Sequence, residues 1–136
     1  MRPCLVTILL IGSLAAGVAG AADLDAGLRA YHGGDYERAL ELWRPLAEAG
    51  DREAQLVLAY MHRRGIGTAA DAEEAARWYR KAAKQGVPEA QYQLGLMYEI
   101  GHGVPTDIWE AESWYQRALS HGYCLDELRD GGRLAD

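Results

Sequence analysis

The chain has 136 residues, enough for one domain or one short repeat array and little else. Its formal charge of −6, with no basic stripe, argues against nucleic acid as a partner and against an anionic membrane surface. Phenylalanine is absent, so tyrosine and tryptophan must supply the aromatic packing.

The first residues read as an export signal. Met1-Arg2 gives a positive start, Leu5 to Ile11 an apolar core, and Ala15 to Ala22 a run of small residues. That order is the pattern of a secretory signal peptide over 1–22, too short for a stable membrane span. Ala19-Gly20-Ala21 fits the small-x-small cleavage rule, so the mature chain is expected to start at Ala22 or Asp23 and to be periplasmic or secreted, with no membrane span. The alternative is an uncleaved anchor, for which the small residues make a poor end. Cleavage removes Arg2 and no acid, taking the formal charge from −6 to −7. It also removes Cys4 and leaves Cys124 alone, so no internal disulfide framework is expected.

The remainder repeats with a period of 36. That shift superimposes Glu53-Ala54-Gln55 on Glu89-Ala90-Gln91, Leu58 on Leu94, Met61 on Met97, Gly65 on Gly101 and Gly67 on Gly103. It then matches Asp71 with Asp107, Glu74-Ala75 with Glu110-Ala111, Trp78-Tyr79 with Trp114-Tyr115, Ala82 with Ala118 and Gly86 with Gly122. In the first half of each unit, Ala54, Leu58 and Met61 fall at helical spacing, and Gly65 follows where a left-handed stop prefers glycine. The second half opens on Asp71 as N-cap, with Glu74 three residues on in a capping-box-like pair. Ala75, Trp78, Tyr79 and Ala82 then form one apolar stripe, whose aromatics are expected to fill the space between units.

A degenerate copy precedes these two. Gly50, Ala39 and Trp43 lie 36 residues before Gly86, Ala75 and Tyr79, and a shorter turn, Tyr31-His32-Gly33-Gly34-Asp35, replaces the Gly-x-Gly loop. Helices are expected at about 24–32, 36–49, 52–63, 72–85, 88–99 and 108–121. The units are then 23–50, 51–86 and 87–122, and 123–136 makes a short C-terminal cap and tail.

Ala90-Gln91-Tyr92-Gln93-Leu94-Gly95-Leu96-Met97-Tyr98, Gly101-His102-Gly103-Val104-Pro105-x-Asp107 and Glu110-Ala111-x-x-Trp114-Tyr115 resemble the Sel-one-like repeat almost position for position. Residues 53–86 resemble it too, with Ala59 for the family glycine and His62 for the family tyrosine; residues 26–50 look more like an ordinary tetratricopeptide unit. The resemblance implies an all-α fold, a short right-handed α-solenoid of about three helical hairpins. It also implies an adaptor or scaffold that binds a peptide or protein rather than an enzyme.

Catalytic and metal signatures do not emerge. Ser113 and Ser120 belong to no nucleophile motif, and Ser120-His121 are helical neighbours pointing apart. A penicillin-recognising hydrolase, as among cysteine-rich relatives of the repeat, is the alternative function, but the chain lacks their paired cysteines. Gly65-x-Gly67-x-x-Ala70 formally fits a dinucleotide fingerprint; its recurrence at Gly101 and Gly103 after a helix makes it a structural turn. His32, His62, His102 and His121 make no ligand pair, so neither metal nor cofactor is expected. His62 is read as a half-buried, hydrogen-bonded histidine. Trp109 falls where repeat two has Glu73 and suits either a contact surface or partial burial against the loop.

In stacks of this kind the first helix of each hairpin lines the concave face. By resemblance the partner-binding candidates are Leu28 and Tyr31, then Leu56, Tyr60, Arg63 and Arg64, then Tyr92, Leu96, Glu99 and Ile100. The mixture suits an extended peptide or a helix, with Arg63-Arg64 pairing a carboxylate. Self-association through an open end of the stack is compatible with that reading.

Overall fold

A computed structural model describes residues 16–123 of the chain and holds six α-helices over them. They are α1 (Ala16–His32), α2 (Tyr36–Glu48), α3 (Arg52–Arg64), α4 (Ala72–Lys84), α5 (Pro88–Ile100) and α6 (Ile108–Ser120). The expected signal peptide over 1–22 lies largely outside the described residues, as does nearly all of the C-terminal cap and tail, Cys124 included. Each helix packs on its neighbours in chain order, so the hairpins α1–α2, α3–α4 and α5–α6 stack into a short all-α solenoid. The one large departure from the expected bounds is α1, which starts at Ala16 rather than near residue 24.

The helix starts follow from the acids that precede them. Asp35, Asp51, Asp71 and Asp107 each accept a backbone N–H of the first turn, satisfying donors with no helical partner. The expected capping box is only half formed. Asp71 caps the amide of Glu74, but the Glu74 carboxylate turns forward to the indole N–H of Trp78 at 2.9 Å. Glu110 does the same for Trp114 at 3.0 Å. The reason is that the N-cap amide is already used: the Asp71 N–H donates to the carbonyl of His62 and the Asp107 N–H to that of Tyr98. The glutamate therefore satisfies a buried indole instead.

Gly65 and Gly101 close α3 and α5 in the left-handed conformation. The second glycine of each loop has a different task. A Cβ on Gly67 would lie 2.7 Å from the backbone of Tyr36, and one on Gly103 would lie 2.1 Å from the carbonyl oxygen of Ala72. Each Gly-x-Gly loop thus rests on the N-terminus of the preceding hairpin's second helix, an approach only glycine permits.

The core is one continuous cluster of small and large side chains. Ala39, Ala54, Ala75, Ala82 and Ala90 are wholly buried, which lets helices approach closely. Trp43, Trp78, Tyr79 and Trp114 are at most 5 % exposed, so the tryptophans expected to pack between units are core residues. His62 departs from expectation. It is buried rather than half-buried, and neither ring nitrogen has a hydrogen-bond partner. Burial lowers its pKa below the usual histidine value, with Arg44 acting in the same direction and Glu74 and Asp71 opposing.

Candidate functional site

The helical period places Leu28 and Tyr31 on one side of α1, and Leu56 and Tyr60 on one side of α3. These two faces flank an apolar cleft of about 290 Å³. Trp43 and Tyr79 reach it from α2 and α4, Val57 lines it, and His32 and Glu89 supply its polar edges. The Tyr31 ring lies 6.0 Å from that of Trp43 and 5.0 Å from that of Tyr36, an aromatic cluster at the cleft's α1 end. Burial pushes the Tyr79 phenol up to about 12, so it is neutral at physiological pH. The cleft is open: Leu28 is 44 % and Tyr60 41 % exposed.

The ten candidates from the sequence do not form one continuous groove. Tyr31, Leu56 and Tyr60 share the α1–α3 cleft. Tyr92, Leu96 and Glu99 line a second cleft, between α5 and α6. Arg63 and Arg64 part company, although their place at a helix end predicts exposed charge for both. Arg63 is partly buried and donates to the side-chain oxygen of Gln93 on α5, which bridges two repeats. Arg64 stays exposed, its guanidinium 5.7 Å from the centre of the Tyr60 ring. Arg63 also borders a small pocket with Leu96, Ile100 and His102.

The floor of the first cleft is not legible in the sequence. Trp43 and Tyr79 are equivalent across the 36-residue period, which predicts packing alone, whereas both also meet the cleft. Glu89 joins them there, and Tyr115 lines the second cleft, although their recurrence at the period, with Glu53 and Tyr79, signals only the repeat; Glu112 joins the second cleft with no such match. Trp109 resolves toward the surface at 86 % exposure, with Ile100 at 68 % and Ile108 at 69 %.

Ser120 donates its hydroxyl to the carbonyl of Arg117, an ordinary helix-end bond. Among the described residues no group of three or more His, Cys, Asp or Glu side chains is placed to hold a metal. No helix among them is long and apolar enough to cross a membrane.

Comparison with known proteins gives a consistent picture. The family model described as Sel1 repeat matches three times, over residues 24–51, 52–87 and 88–123. The fold is similar to a Sel1 repeat protein from Oxalobacter formigenes, with a TM-score of 0.73 and 33 % identity over 81 % of this chain and 86 % of that one. It is equally similar, at TM-score 0.73 and 36 % identity over 76 % of this chain, to a protective antigen of uropathogenic Escherichia coli that displays an SLR fold. This chain spans 23 % of the length of that antigen. No curated protein matches the sequence.

Proposed function

The chain belongs to the Sel1 repeat family, whose members generally mediate protein–protein interaction, and on that premise we propose that it is an exported adaptor holding its partner in the cleft between α1 and α3. One observation carries the reading: an open, apolar cleft walled by Leu28, Tyr31, Leu56 and Tyr60 and floored by Trp43 and Tyr79. Solvent-facing leucine and tyrosine around a buried aromatic floor is the composition that anchors side chains of a peptide or partner helix. The part of the first-helix face around this cleft is therefore the binding face, with His32 and Glu89 as polar edges and Arg64 beside Tyr60. Export is supported by the Met1-Arg2 start, the apolar run to Ile11 and the small residues up to Ala22, which put the adaptor in the periplasm or outside the cell. The partner is a protein or peptide. Self-association is a further outcome that the same experiments would detect.

The test is site-specific photocrosslinking in cells. A benzophenone amino acid at Leu28 or Tyr60 should give the same discrete adduct from both sites, and none from Glu48 on the exposed side of α2. Adducts that are identical at all three sites, or absent at Leu28 and Tyr60, would remove the cleft from consideration. Mass measurement of the purified mature chain checks export: a start at Ala22 or Asp23 is expected, and recovery of full-length chain in the membrane sinks that part.

A further inference from the structure

The second helix of each hairpin carries one stripe, spaced i, i+4, i+7 and i+11, that faces the hairpin after it. On α2 the stripe is Tyr36, Leu40, Trp43 and Ala47; on α4 it is Ala72, Ala76, Tyr79 and Ala83. The next helix packs on each, and apart from the leading Tyr36 and Ala72 these residues are at most 7 % exposed. On α6 the stripe is Ile108, Glu112, Tyr115 and Leu119, and among the described residues no helix follows it. Ile108 is 69 % and Leu119 37 % exposed.

The chemistry of the stripe has also changed. Glu112 stands where Leu40 and Ala76 are buried, so another hairpin of the same kind would bury a carboxylate where two repeats bury carbon. Across from it on α5, Glu99 replaces the Arg63 of repeat two. Both carboxylates line the cleft of about 350 Å³ between α5 and α6, together with Tyr92, Leu96, Tyr115 and Leu119. The Tyr92 ring lies 5.5 Å from that of Tyr115 and is stacked on that of Tyr123 at 5.0 Å. The Tyr115 hydroxyl donates to Glu99 at 2.5 Å, and the Gln116 amide to Glu112 at 2.7 Å. Both donors are neutral, and among the described residues no cation lies within 4.0 Å of either carboxylate. From Gln85 to Gln116 the sequence holds five acids and no lysine or arginine.

Rings beside two carboxylates without a cation complement a positive charge on an apolar stem. We propose that this end face binds a basic amphipathic segment of a partner protein. A lysine or arginine sits between Glu99 and Glu112 with its stem along Tyr115 and Leu119, and flanking apolar side chains cover Ile108. The surface is separate from the α1–α3 cleft and does not rest on it. A second copy of the chain fits less well, since pairing two such faces sets acid against acid.

The test uses fluorescein-labelled amphipathic peptides, one of leucine and lysine and one of leucine and glutamate, titrated into the full chain by anisotropy. The leucine–lysine peptide should bind, and Glu112→Lys should weaken it at least tenfold while strengthening the leucine–glutamate peptide. Glu112→Ala should weaken the first without helping the second. Glu48→Lys, the same charge change on α2, should leave affinity within twofold. Equal weakening by Glu48→Lys means bulk attraction and overturns the proposal. So does binding seen only after residues 124–136 are deleted, which assigns the face to the chain's own tail. Sedimentation showing a dimer that Glu112→Lys dissociates would assign it to a second copy, also against the proposal. Circular dichroism of each variant confirms folding.

Discussion

Gln91 donates from its side-chain nitrogen to the carbonyl oxygen of Ala83 at 2.9 Å, the bond that Gln55 makes to Ala47 one repeat earlier at 3.0 Å. Both glutamines are buried, and each ties the first helix of a hairpin to the last turn of the helix before it. Their oxygens are used as well: Gln55 accepts from Gln85, and the His121 ring lies 3.0 Å from the Gln91 oxygen. Residues 85 and 121 are themselves one period apart, so the junction is duplicated as a unit.

Gln91→Leu keeps the bulk and deletes one of the two donors to the Ala83 carbonyl, which retains the Gly86 N–H, together with the oxygen that faces His121. It should cost about 0.5–1.5 kcal/mol of stability, read from the urea midpoint. A variant that melts with the wild type would mean that water replaces the bond and that the junction is held by apolar contact alone.

His62→Tyr should stabilise the protein. In repeat three the equivalent Tyr98 accepts from Arg80 at 2.7 Å, and Arg44 stands in the position of Arg80 one repeat earlier. Tyrosine at 62 would offer Arg44 a hydroxyl in place of a ring whose nitrogens are both unpaired. A gain of about 1 kcal/mol is expected, visible as a melting temperature a few degrees higher. A lower melting temperature would show that the repeat-two pocket is too small for the phenol.

Stability should fall in mild acid, with His62 as the cause. Burial lowers its folded pKa below the unfolded value near 6.5, so in that interval the unfolded chain binds more protons. The histidine's contribution is therefore complete above pH 6.5 and is lost as pH falls through the folded pKa. Urea midpoints measured from pH 7.5 to pH 5 should decline in the wild type and decline less in His62→Tyr. Parallel profiles would assign the acid sensitivity elsewhere.

Two glycines of similar φ should respond very differently to alanine. Gly34 has φ +82° and open space where a Cβ would stand, so Gly34→Ala should cost only the left-handed strain, about 1–2 kcal/mol. Gly103 has φ +73°, and its Cβ would meet the Ala72 carbonyl oxygen at 2.1 Å, so Gly103→Ala must also push the loop off α4. Thermal melts should separate the two variants clearly, with Gly103→Ala the less stable. Similar melting temperatures would mean the loop lifts away at little cost.

Six helices, the hairpin units and most of the core are legible in the residues alone, because capping acids, glycine stops and apolar spacing are local signals that recur every 36 residues. The period also singled out the positions that deviate, His62 and Trp109 among them. Tertiary structure alone decided what those positions do. His62 loses its partners because burial depends on the neighbouring hairpin, and Arg63 is drawn from the surface by Gln93, thirty residues away in the chain. The split of the first-helix face into two clefts has the same origin. Periodicity says which side of a helix a residue occupies, but whether that side meets solvent, a ring or a carboxylate depends on the distance and identity of the next helix in the stack.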